Sequence, residues 1–197
     1  MLYLELFFQG IVQGSIYASI ALGLTLVYGL MRILHVAHAD LFTLGGYLGV
    51  TVTNATGRFI LVTAVAMIVV GFVGIAVYKL AYESLLSKPP FMSLIASIAL
   101  FIASEDIFRI IFGPYGLSYT NPPMQGYFEL HGGFFLKYGE ALVIVLSVVM
   151  LVILGWFAAT TRLGVSWRAT VIDPDIARAF GSNTQNVRYM NFFIGSA

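Results

Sequence analysis

The chain has 197 residues, of which 59% are hydrophobic and 10% charged, and its formal net charge is +1. A soluble domain usually carries about 25% charged residues, so ten basic and nine acidic side chains are too few to hydrate a globular surface of this size. The near-neutral balance excludes a nucleic-acid partner, which needs a clustered cationic excess, and the lack of cysteine excludes disulfides, thiolate metal sites and cysteine nucleophiles. What remains is an all-α integral membrane protein: a polytopic bundle of transmembrane helices in a lipid bilayer.

Residues 1–8 contain Glu5 and no Lys or Arg, whereas a cleavable signal begins basic. The apolar stretch that follows is too long for a signal core and reads as a mature span. Crossing a hydrocarbon core takes about 20 mostly apolar residues. Residues 6–31, 60–78 and 141–160 meet that length or come close to it without a single charge. Residues 41–57 are uncharged but short, which predicts a weakly tilted, half-buried or broken helix. Residues 91–112 are long enough, with Glu105, Asp106 and Arg109 in the last third. Residues 188–197 look like the beginning of another span, so the expectation is about five spans plus the start of a sixth, in one domain truncated at its C-terminus.

Basic residues set the orientation. With the segment after residue 160 placed in the cytoplasm, Arg162, Arg168, Arg178, Arg188, Lys79, Lys88 and Arg32 fall inside, against Arg58 and Lys137 outside. Residues 113–138 then form the main external loop. Its turn formers (Gly113-Pro114, Asn121-Pro122-Pro123, Gly132-Gly133) and its aromatics (Tyr115, Tyr119, Tyr127, Phe134, Phe135) suit a membrane–water boundary. Within the spans, Gly10, Gly14 and Ala18 share one helix face, as do Gly45 and Gly49. Small residues at that spacing let helix backbones approach closely, which implies a compact bundle or a dimer.

Chemistry-bearing motifs are few. The chain has no GxxxxGK[ST] loop to cradle ATP, no G-x-S-x-G elbow and no H-E-x-x-H pair. His35, His38 and Asp40 have metal-ligand side chains, but HxxH alone is a weak signal. The preferred reading of residues 32–40 is an interrupted helix pair, since irregular backbone at membrane depth survives only in protein or beside a watery cavity. Glu105 and Arg109 are four apart and pair on a helix; with Asp106 they either line a pathway or sit at headgroup level. In residues 161–187, Asp173 is a fitting N-cap, Pro174 suits the first helical position and Gly181 suits a left-handed cap. A two-turn helix over residues 174–180 follows, with Ile172, Ile176 and Phe180 on one side. So short a helix needs a surface to dock on.

Residues 13–32 (QGSIYASIALGLTLVYGLMR) and 35–47 (HVAHADLFTLGGY) resemble the start of the branched-chain amino acid ABC transporter permeases of the LivH type. Residues 161–183 resemble their cytoplasmic loop, and residues 193–197 the span after it. The family commonly has N-F-A-H-G-E where this chain has residues 35–40, with Ala37 and His38 matching, and Gln-Asn where this chain has Glu105 and Asp106, with Arg109 matching. The resemblance implies a multi-pass subunit of the bacterial inner membrane with no cofactor and no enzymatic activity of its own. Its partners would be a second permease subunit (sister or self), cytoplasmic ATP-binding subunits, and a periplasmic or extracellular solute-binding protein. In that reading Asp173, Pro174, Ile176, Ala177, Phe180 and Gly181 build the helix that couples to the ATPase, while His38, Asp40, Glu105, Asp106 and Arg109 border the path or gate it. Two other readings stay open. One is a self-contained secondary transporter or channel using Glu105, Asp106 and Arg109; the other is a scaffold anchored on anionic lipid.

Overall fold

The computed structural model describes residues 2–86, 88–130 and 134–197. Eight α-helices and one hairpin follow in the order α1 (Leu2–Met31), α2 (His38–Thr56), α3 (Phe59–Val77), α4 (Pro90–Phe112), β1 (Tyr127–Leu130), β2 (Phe134–Lys137), α5 (Tyr138–Thr160), α6 (Arg162–Ile172), α7 (Pro174–Ala179) and α8 (Thr184–Ser196). Among the described residues, three rods are long and apolar enough to cross a membrane: Glu5–Met31, Phe59–Leu85 and Tyr138–Thr160. The second is longer than the expected 60–78, because α3 runs on through a π turn at Tyr78–Tyr82 and a 3-10 turn at Glu83–Leu85.

Helix ends follow local chemistry. Arg32 adopts φ 54° and its N–H still reaches Tyr28 O, so α1 stops with a left-handed residue. Gly57 closes α2 at φ 70°. Pro90 opens α4 at a position where its missing N–H costs nothing. Glu140 folds back to the Lys137 N–H at the head of α5. At the α5–α6 corner, Thr161 accepts from Gly164 N, and a Cβ on Gly164 would lie 2.3 Å from Phe157 O. Only glycine fits that corner, and α6 is a helix that the sequence reading did not anticipate.

The segment expected as an external loop contains the antiparallel hairpin β1–β2, with Tyr127 opposite Lys137 and Glu129 opposite Phe135. Tyr138 N–H bonds to Gly126 O and ties the hairpin to the head of α5. The expected Gly132-Gly133 turn lies outside the described residues. At the same end of the bundle, Asn54 in α2 bonds Ser118 O and Thr120 N–H.

Helix α8 wedges between α1 and α3, while α5 packs on α1. The α1–α5 contact is polar at its centre: Ser147, the one buried residue of α5, donates to Ser15 O at 2.8 Å and lies 2.7 Å from Ser19 Oγ. The apolar core is concentrated toward the end of the bundle that carries α6 and α7. There Val27, Ile33, Tyr78, Tyr82 and Phe192 form one buried cluster.

Candidate functional site

The connection between α1 and α2 is anchored from three directions. His35 is 1% exposed, and its Nδ1 lies 2.7 Å from the Tyr82 hydroxyl of the π turn. Its ring also packs edge-on against Tyr82 and lies 5.5 Å from the Phe192 ring of α8. Burial, reinforced by neighbouring His38, drives the His35 pKa down to about 3, so this imidazole is neutral. Ser97 of α4 is fully buried and accepts from Val36 N–H at 2.6 Å and Ala37 N–H at 3.3 Å. It satisfies the N–H groups of the two residues that lead into α2, Val36 and the cap residue Ala37. Tyr82 and Ser97 lie close together as well, which closes the knot.

His38 opens α2 and lies against α1, close to the backbone of Ile20. A Cβ on Gly23 would sit 2.6 Å from His38 Nε2 and 2.4 Å from Gly195 O, so α1, α2 and α8 meet there with no room for a side chain. Asp40 is buried and accepts a hydrogen bond from Ser104 of α4. The His35 and His38 rings are T-shaped at 5.8 Å, and among the described residues no set of three or more His, Cys, Asp or Glu could hold a metal. Residues 32–40 thus form the interrupted helix pair that was expected, with His38 and Asp40 directed into the bundle.

Glu105, Asp106 and Arg109 stand apart from that knot. Arg109 lies 3.7 Å from Glu105 and 3.9 Å from Asp106, and all three side chains are about half or more exposed. They occupy the side of α4 away from its packed serines, Ser93 and Ser97.

Among the predicted small residues, a Cβ at Gly45 would meet Val70 at 3.8 Å and one at Gly49 would meet the Tyr119 hydroxyl at 3.9 Å. These are ordinary contacts. Gly10 and Gly14 have nothing within 4 Å, and Ala18 is exposed, so no described helix of this chain packs on that face. The tight approaches lie instead at Gly23, Gly71, Gly74 and Gly195.

The short predicted helix is α7, one residue shorter than expected. Asp173 Oδ1 accepts from Asp175 N–H at 2.8 Å and Ile176 N–H at 3.0 Å. At the other end Gly181 has φ 82°; its N–H bonds Arg178 O, and Ser182 N–H reaches back to Ala177 O, the paired bonds of a Schellman cap. Ala177 is the buried side of α7, whereas Ile172, Ile176 and Phe180 are exposed, Phe180 at 88%. Beside them runs an apolar groove of about 410 Å³ between α6 and α7. Asn191 braces this region, accepting from Trp167 Nε1 of α6 and donating to Leu26 O of α1.

Sequence reasoning missed His35 as an anchor, along with Ser97, Tyr82 and Glu83. A serine or tyrosine in an apolar span was the available signal, since a buried hydroxyl needs a partner. Which partner it takes is set by packing between helices distant in sequence.

The family model described as the branched-chain amino acid transport system / permease component matches residues 6–197. The chain belongs to that family. It is a permease subunit and not an enzyme. Among its relatives, the high-affinity branched-chain amino acid transport system permease protein LivH of Escherichia coli is 24% identical over 208 residues, covering 99% of this chain and 67% of the relative. The corresponding permease protein BraD of Pseudomonas aeruginosa is 25% identical over 209 residues, with the same coverage. LivH of Salmonella typhimurium is 24% identical over 208 residues, again covering 99% and 67%. No solved structure matches the permease.

Proposed function

We propose that this permease forms part of the path for branched-chain amino acids, or related small polar solutes, in an importer of the bacterial inner membrane. Separate cytoplasmic subunits hydrolyse ATP, a solute-binding protein delivers the substrate, and a second permease subunit (sister or self) completes the path. Helices α1 to α5 are the five spans, α8 starts the sixth, and residues 161–187 are the cytoplasmic coupling loop. Gly10, Gly14 and Ala18, open within this chain, are available to the second permease subunit.

The observation that carries the reading is α7: a helix capped at both ends, too short to be stable alone, offering Ile172, Ile176 and Phe180 outward. Such a helix is held in shape by its caps and acquires its apolar cover from a partner. In the importer that partner is the ATPase, which seats α7 in a groove and moves it during the nucleotide cycle. Replacing Ile176 and Phe180 together by Asp releases the ATPase and abolishes driven uptake, while the permease stays in the membrane. Normal uptake by that double variant, or proton-driven uptake in vesicles lacking any ATPase, sinks the proposal.

Glu105, Asp106 and Arg109 border the aqueous path. Glu105 lies seven residues from the end of α4, about 10 Å at the helical rise, and short carboxylates at that depth face water or protein rather than lipid. His38 and Asp40, at the head of α2, hold the path's inner wall. Because the chain contains no cysteine, Asp106→Cys can be probed in the native background. A membrane-impermeant thiol reagent is expected to label it, with substrate-loaded transport slowing the reaction. Labelling by lipid-soluble reagents alone would place this face in the bilayer.

A further inference from the structure

Between the end of α3 and the start of α8 lies a polar recess of about 430 Å³, bordered by Tyr78, Glu83, Arg178, Thr184, Gln185 and Arg188 among others. Glu83 occupies its centre in bonding terms. Its carboxylate accepts from Gln185 Nε2 at 2.7 Å and from the Tyr189 hydroxyl at 3.1 and 3.2 Å, so two successive turns of α8 are held by one side chain. Tyr78, at the head of the π turn, borders the same recess as the Arg188 side chain of α8 and lies close enough to feel its charge. Below these bonds Tyr78 and Tyr82 pack against Phe192, at ring separations of 5.0 and 5.8 Å, in the buried apolar cluster. Gly71 and Gly74 bring the two helix backbones together: a Cβ at Gly74 would lie 2.2 Å from Ser196 Oγ.

Both ends of this joint are attached to something that matters. On one side, Arg178 of α7 donates from Nε to Thr184 Oγ1 at 2.9 Å, across the turn that separates α7 from α8. On the other, Tyr82 and Phe192 both touch His35, in the break between α1 and α2. Contacts therefore run without interruption from α7 through α8 and the π turn to the entry of α2.

We infer that Glu83 is a positioning residue for energy transfer: it clamps the end of α3 to α8, so that a displacement of α7 reaches the α1–α2 break as the movement of one rigid body. This rests on the docking role proposed for α7. A π turn left unclamped would absorb the thrust by bending, and the ATPase would turn over without moving the break.

The test uses the assembled transporter, with its ATPase and solute-binding partners, in proteoliposomes, with uptake and ATP hydrolysis measured together. Glu83→Ala removes the acceptor of a charge-assisted pair of bonds, and the expected loss of uptake is about tenfold with hydrolysis retained and the ATPase still bound. Glu83→Gln keeps an acceptor for Tyr189 and restores uptake to within about threefold of the parent. Equal falls in uptake and hydrolysis, or no fall in either, overturn the clamp. Should Glu83→Ala fail to accumulate, Glu83→Cys with Gln185→Cys decides the matter through a short bis-thiol cross-linker. A rigid joint transports when linked, and arrest on linking shows that the joint must open. Failure of the α7 reading is distinguishable, because it appears as ATPase binding that survives Ile176→Asp with Phe180→Asp, a readout that Glu83 does not move.

Discussion

Along α1, Gly10, Gly14 and Ala18 repeat at four-residue spacing toward one end, and Gly23 lies toward the other, outside that repeat. The first group faces open space, whereas Gly23 is pressed by the Gly195 carbonyl and the His38 ring. Spacing marks a face that another backbone is able to approach; it does not say that one does. Gly23 is where three helices meet, and its partner Gly195 lies far along the chain. Regular small-residue patterns are thus legible in a sequence, while the close contact itself depends on which helix the fold brings there.

The comparison is broken or sharpened by substitution. The largest effect is expected at the tight positions. Gly23→Val drives side-chain carbons into backbone at Gly195, which has no rotamer to yield, and costs about 3 kcal/mol or more. The companion Gly74→Ala puts its Cβ 2.6 Å from Ser196 Cβ, which no turn of that side chain moves, and 3.0 Å from Phe192 O, but adds one carbon rather than three, so about 2–3 kcal/mol is expected. Thermal midpoints in detergent and the yield of folded permease measure both. Next comes Ser97→Ala, which leaves Val36 N–H and Ala37 N–H without their acceptor in a buried place; about 1–3 kcal/mol is expected, read as a lower midpoint. A Ser97→Ala protein as stable as the parent would mean that the α2 entry is held by packing alone. The smallest effect is Gly14→Ala, within about 0.5 kcal/mol for the isolated chain. If Gly14→Ala proves as damaging as Gly23→Val, α1 presses its partners along the other face and the contrast drawn between the two groups disappears.

The two ends of the bundle differ in legibility for a related reason. The cap residues Asp173 and Gly181 act within a few residues of themselves, so α7 was readable almost to its last residue. The hairpin at Tyr127–Lys137 was not readable, because its aromatic run between turn formers fits an interfacial loop equally well. Helix α6 was overlooked for a different reason: Thr161 and Gly164 mark a corner only once α5 is known to end against it. At the site, His38 and Asp40 were picked out by residue type, whereas Ser97, Tyr82 and Glu83 looked ordinary.

Composition and local patterning were enough for membrane class, the three uncharged rods, the interrupted entry to α2 and the capped helix α7. All of these depend on solvation or on hydrogen bonds that close within one or two turns, which a linear string of residues records directly. The wedge of α8 between α1 and α3, the serine that holds the entry to α2 from another helix and the carboxylate that ties α3 to α8 had to await the folded chain. They are contacts between residues some 60 to 170 positions apart, and in an apolar bundle almost any face is chemically fit to meet any other. Which faces meet is decided by side-chain volume and by the few polar groups that must find one another away from water.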